Sequence, residues 1–179
     1  MADWPVISLP TLGTIHIFSL ESIGIGLMTA ANGKIISIPD STAGILVTRY
    51  VPFYLSQSIL VAKMFVYNGT VVDGNIDLGI YDKSGKKLMS TGSVAQSGTE
   101  VLQVLDITGP RIGPGNFYIA LGNSSGNAKF HQVSVGSEQN LWIIGVLDEQ
   151  TFPLPNQATF TPMGLCYVPF FGLSIRTVI

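Results

Sequence analysis

The sequence predicts an all-β protein: an antiparallel β-sandwich, jelly-roll-like, with an extended N-terminal arm. Three observations lead there. From about residue 34 onward, short runs rich in β-branched and aromatic residues alternate with turn clusters of Gly, Pro, Asn, Asp and Ser. No stretch carries a sustained helical period flanked by caps. Turn signals recur at short spacing, which accommodates about nine strands, as a sandwich or jelly roll requires. A length of 179 residues fits one such domain with an arm, divided as arm 1–33 and sandwich 34–179.

The arm has no consistent period, and Pro5 and Pro10 oppose regular structure early on. Its apolar residues are expected to pack against another subunit. Lys34–Ile38 reads as a short strand stopped by Pro39-Asp40-Ser41. Gly44–Phe53 is β-branched and aromatic, with Pro52 placing its end at an edge or bend. Ser58–Val72 is the longest run. Strict alternation there puts Ile59, Val61, Lys63, Phe65 and Tyr67 on one face and Leu60, Ala62, Met64 and Val66 on the other. Both rows are largely apolar, so a central strand is expected, with Lys63 near a rim.

Asn75–Tyr81 alternates as a half-buried strand, with Ile76, Leu78 and Ile80 inward and Asn75, Asp77, Gly79 and Tyr81 outward. Asp82-Lys83-Ser84-Gly85 is a hairpin turn, and Lys87–Ser93 is the returning strand. Val101–Ile107 is a further strand, followed by the punctuation Gly109-Pro110 and Gly113-Pro114-Gly115. Asn116–Leu121 faces Phe117, Ile119 and Leu121 one way. Asn123–Asn127 turns the chain into the alternating run Ala128–Val135, where His131 is expected to face solvent. Leu141–Leu147 is apolar, Thr151–Thr161 is an irregular loop with aromatic anchors, and Tyr167–Ile175 is one closing strand.

Composition restricts the partners. Only 11% of residues are charged, against about 25% in typical soluble chains. No window of about 18 uninterrupted apolar residues exists to span a membrane. The apolar excess is therefore assigned to surface buried against partner subunits, since obligate interfaces resemble domain cores. Net charge is −2 and no basic face is present, which argues against nucleic acid. Lys83, Lys86 and Lys87 read as a solvated hairpin tip. The lone Cys166 excludes an intrachain disulfide and a multi-Cys zinc site. The start, MADWPVISLP, lacks the basic and apolar regions of a signal peptide, so the sequons at Asn68 and Asn123 are read as chance.

No catalytic constellation is legible. His16 and His131 lie far apart, and no nucleophile elbow accompanies them. Asp73, Asp77, Asp82 and Asp106 fall in or near the central hairpins, but their spacing matches no EF-hand loop. Asp82 and Asp106 are read as turn residues. Trp4, Trp142, Tyr50, Tyr54, Tyr81 and Tyr118 are candidates for a sugar platform. Tyr81 and Tyr118 sit opposite the main apolar rows, where they would be exposed or would pack across a subunit boundary. No cofactor or metal is expected.

The segment Asn75–Leu121 runs N-I-D-L-G-I-Y-D-x-S-G, L-M-S-T-G-S, D-I-T, P-G-N-F-Y-I-A-L. It resembles a module of tailed-bacteriophage virion proteins and of small β-sandwich modules appended to secreted enzymes. The resemblance covers about a quarter of the chain and brings no catalytic residue with it. It implies a virion structural protein: a capsid decoration (cement) protein, or alternatively a head- or tail-fibre component. Expected partners are further copies of itself as a homotrimer and the major capsid protein or another virion protein. Assembly in the host cytoplasm suits a chain without disulfides. A carbohydrate-binding module contacting a host surface glycan is the competing reading. Interface residues are expected at the two ends: Trp4, Ile15, Ile17, Phe18 and Leu27 in the arm, and Phe152, Phe160, Tyr167, Phe170 and Phe171 near the C-terminus.

Overall fold

A computed structural model describes residues 35–37, 48–134, 147–149, 151–162 and 167–176. The expected arm, the start of the strand at Gly44 and most of Leu141–Leu147 lie outside the described residues. Those described are all-β, with antiparallel pairing throughout and no helix.

Among the described residues, thirteen strands follow in chain order. They are β1 (Ile35–Ser37), β2 (Thr48–Leu55), β3 (Leu60–Tyr67), β4 (Asn75–Asp82), β5 (Lys87–Ser90), β6 (Val94–Ala95) and β7 (Leu102–Asp106). Then come β8 (Gly115–Asn123), β9 (Lys129–Ser134), β10 (Leu147–Glu149), β11 (Thr161–Pro162), β12 (Tyr167–Pro169) and β13 (Phe171–Arg176). The large sheet has the order β11-β10-β2-β8-β4-β5, with β6 pairing the start of β4. Two three-stranded sheets accompany it, β13-β3-β7 and β1-β9-β12.

The core forms where the inner rows of these sheets meet. Val51, Phe53, Ile76, Leu78, Ile80, Ile119 and Leu121 come from the large sheet. Val61, Met64, Val66, Phe171 and Leu173 come from β3 and β13, and Phe130 from β9. The inward triplet Ile76, Leu78 and Ile80 is fully buried, as the alternation predicted. At Pro52 the strand β2 has β8 on one side, and among the described residues no strand on the other, since β10 pairs only with Thr48–Tyr50; a proline fits such an edge position.

Four expectations are corrected. First, β3 does not alternate strictly. The register of β13 on β3 shifts between Ser174 and Ile175, passing from Lys63 to Val61. This bulge puts Ile59, Val61, Met64 and Val66 all in the core and turns Lys63 out to pair with Asp106 at 2.5 Å. Second, β4 is buried on both faces rather than half-buried: Asp77 and Tyr81 are 2% and 0% exposed. Third, Tyr167–Ile175 is not one strand. β12 pairs with β9, whereas β13 pairs with β3, and the chain changes sheets at Phe170. Fourth, His131 is buried and stacks on Tyr67 with ring centroids 4.2 Å apart.

Candidate functional surface

The two outer faces of the molecule are finished in opposite ways, and that contrast defines the candidate surface. On the large sheet, neighbouring strands place three rows outward: Thr48–Gly122–Asp77, Tyr50–Ala120–Gly79 and Pro52–Tyr118–Tyr81. Gly122, Ala120 and Gly79 in the first two rows are small, so they leave a slot. Leu154 fills it, with only 2% of its surface exposed. A Cβ added at Gly79 would stand 2.6 Å from Leu154 Cδ1 and 2.9 Å from the Met89 carbonyl oxygen. Glycine is therefore required at 79 by close approach rather than by backbone angle.

Leu154 belongs to a strap, residues 151–160, that polar groups hold against the sheet. Thr48 Oγ1 donates to the Thr151 carbonyl at 2.8 Å, and the Tyr81 hydroxyl donates to the Pro155 carbonyl at 2.6 Å. Lys87 Nζ donates to the Leu154 carbonyl at 2.7 Å, and Gln157 Nε2 to the Ser84 carbonyl at 2.8 Å. Phe160 closes the end, edge-on to Tyr50 and tilted against Tyr118. Asp77 supplies the carboxylate of the assembly. Its carboxylate accepts from Ser90 Oγ at 2.6 Å and from the Leu154 N–H at 3.2 Å. Burial pushes its pKa up, opposed by these hydrogen bonds and by the nearby Lys87 ammonium.

A second polar group joins β3, β6, β7 and β9. Asn68 donates from Nδ2 to the Ser97 carbonyl and to Gln103 Oε1, and accepts from Gln96 Nε2. Gln96 accepts from the Asp73 N–H, and Gln103 donates to the Ala95 carbonyl. All three amides are buried and every polar atom in them is used, so the cluster is a structural tie between loops. Asn68 and Asn123 are both 0% exposed, which leaves neither sequon open to modification in the folded chain. Asp73 lies next to Ser125 and Asn127, whose hydrogen bonds hold its pKa down. Asp82 closes the β4–β5 hairpin by accepting from Ser84 Oγ and from the Ser84 and Lys86 N–H groups, and its pKa is likewise lowered, chiefly by Ser84. Asp73, Asp77, Asp82 and Asp106 thus serve four separate places, and no metal-ligating group of three gathers among the described residues.

The outer face of β13-β3-β7 is finished differently. Cross-strand register aligns Lys63 with Asp106 and Ser174, Phe65 with Val104 and Gly172, and Tyr67 with Leu102. The Phe65 ring lies over Gly172, where a Cβ would meet its Cζ at 2.6 Å. Phe170 packs between Phe65 and Tyr67, with centroids 6.1 and 6.4 Å away, and His131 extends the row beyond Tyr67. Among the described residues, neither ring nitrogen of His131 has a hydrogen-bond partner. At the β7 margin the row ends in open apolar surface: Val101, Leu102 and Val104 are 47%, 45% and 48% exposed.

Sequence reasoning did not find this margin. It assigned no faces to Val101–Ile107, and the apolar residues there would ordinarily be placed inward. Leu102 and Val104 face out because Gln103 between them turns inward to reach Asn68 and Ser97, and Val101 is exposed just before the strand begins. Of the residues expected at interfaces, Phe160 packs on Tyr50 and Tyr118, Phe171 is in the core, and Phe170 lies on the aromatic row. Phe152 is half-buried beside Gly122, and Tyr167 is in β12. Trp4, Ile15, Ile17, Phe18 and Leu27 lie outside the described residues. Among the sugar-platform candidates, Tyr50 and Tyr81 are buried under the strap, while Tyr54 is 59% exposed. Comparison with protein-family models, with curated proteins and with solved structures finds no match.

Proposed function

We propose that this chain is a non-catalytic structural subunit of a tailed-phage virion, of the capsid-decoration type, built on a jelly-roll-like β-sandwich. Support for the sandwich comes from the shared core, to which the large sheet and the β13-β3-β7 sheet contribute facing rows. The virion assignment rests on the module Asn75–Leu121. The single observation that favours assembly over chemistry is the outer face of β13-β3-β7. It carries an apolar aromatic row and three exposed aliphatic residues at a sheet margin, the kind of patch that marks a protein contact. The buried Asp77 carboxylate and the Asn68, Gln96 and Gln103 amides are instead engaged in holding the strap and loops.

The test is co-sedimentation with the particles encoded by the same genome, read by mass spectrometry of the pelleted particles. The chain is expected to pellet with intact particles as a multicopy component. Its absence from purified particles, with all added protein left in the supernatant, would overturn the virion assignment.

A further inference from the structure

We infer that β7 is a self-association edge, at which a second copy of this chain pairs antiparallel about a two-fold axis and joins two β13-β3-β7 sheets into one six-stranded sheet. This rests on the assembly reading above and names the partner at that surface. Three observations carry it. β7 is a terminal strand of its sheet, and no described strand pairs with its outer side. Asn68 donates its N–H to the Val101 carbonyl, which makes the odd-numbered residues of β7 the ones bonded toward β3. In an antiparallel ladder the N–H and C=O groups of Leu102, Val104 and Asp106 then point to the open side. Those are also the residues whose side chains are exposed.

The edge lacks the devices that discourage pairing. It carries no Lys, Pro or bulge, and its only charge is Asp106 at one end. It is also self-complementary. With the axis at Gln103, Leu102 of one copy stands opposite Val104 of the other, and the reverse holds by symmetry. All four exposed aliphatic side chains then meet cross-strand partners, and Phe65 and Tyr67 continue the apolar row on either side. An extended peptide from an unrelated protein would also satisfy the edge, but nothing in it need match Leu102 and Val104 reciprocally. In this register Asp106 falls opposite Glu100 of the second copy. Lys63, ion-paired to Asp106, offsets part of that repulsion, and added salt screens the remainder. A contact of this size is small for a protein interface, so dissociation on dilution is expected.

The experiment is light scattering of the full chain over a dilution series, alongside Val104→Lys. Val104 is 48% exposed, so the lysine is accommodated without refolding, and unchanged circular dichroism checks this. The wild-type chain should approach twice its 19.1 kDa mass at high concentration and shift further toward the dimer with salt. Val104→Lys should remain monomeric at tenfold higher concentration. A monomeric wild type, or an assembly that Val104→Lys leaves intact, would overturn the inference. A chain that pellets with particles yet never self-associates would refute the β7 edge alone and leave the virion reading standing.

Discussion

At the residue scale, the fold's most consequential side chain is one that composition would pass over. Asp77 is a carboxylate placed 2% exposed between sheet and strap, and it is retained because it satisfies the Leu154 N–H and the Ser90 hydroxyl together. Asp77→Ala leaves both donors without an acceptor and is expected to cost about 1–3 kcal/mol in chemical denaturation. Asp77→Asn keeps an acceptor oxygen and should cost less. The pH dependence has a definite sign. Burial raises the folded-state pKa above its unfolded value, so the native state binds the proton more tightly. The stability attributable to Asp77 is therefore fully present at acidic pH and falls as pH rises through the raised pKa. Asp73 and Asp82, with lowered pKa values, act in the opposite sense and lose their contribution as pH falls. The difference between wild type and Asp77→Asn isolates Asp77. It should move against the wild type as pH increases, and a difference that moves the other way would contradict the assignment.

At the scale of elements, the strap explains what was legible in the sequence and what was not. The inward rows Ile76/Leu78/Ile80 and Ile119/Leu121 follow from period-two alternation, because that signal is local. The outward row of β4 could not be read the same way. Its cover arrives from residues 151–160, more than seventy positions away, and Tyr81 becomes core only through that contact. The bulge at Ala62–Lys63 was hidden for a related reason: an apolar run satisfies either phase, and only the β13 register selects one. Gly79 carried a usable signal. A glycine inside an otherwise apolar strand marks close approach, here by Leu154. Gly79→Ala puts its Cβ against both Leu154 and the Met89 carbonyl, so one of them must move. A loss of about 1–3 kcal/mol is expected from this overpacking, with faster limited proteolysis within 151–160 than in the wild type. Unchanged cleavage there would show that Leu154 does not hold the strap.

At the scale of the whole molecule, the sheets divide two tasks. The large sheet has the part of its outer face around Tyr50, Gly79 and Tyr81 covered by its own chain, through Leu154, Phe160 and the Asp77 and Tyr81 anchors, while Tyr54 further along β2 stays exposed. The β13-β3-β7 sheet keeps an outer aromatic row that ends in an open apolar margin. Low overall charge suits this division, since apolar surface beyond the needs of the core is placed where a second subunit can bury it. Hydrogen–deuterium exchange on dilute and assembled protein tests that central claim most directly. On assembly, amides in the segment 101–107 should gain protection, while the strap 151–160 and the segment 77–81 beneath it keep the protection they have in the dilute chain. Protection gained at the strap and 77–81, with 101–107 unchanged, would contradict the account by making the large sheet the assembling face.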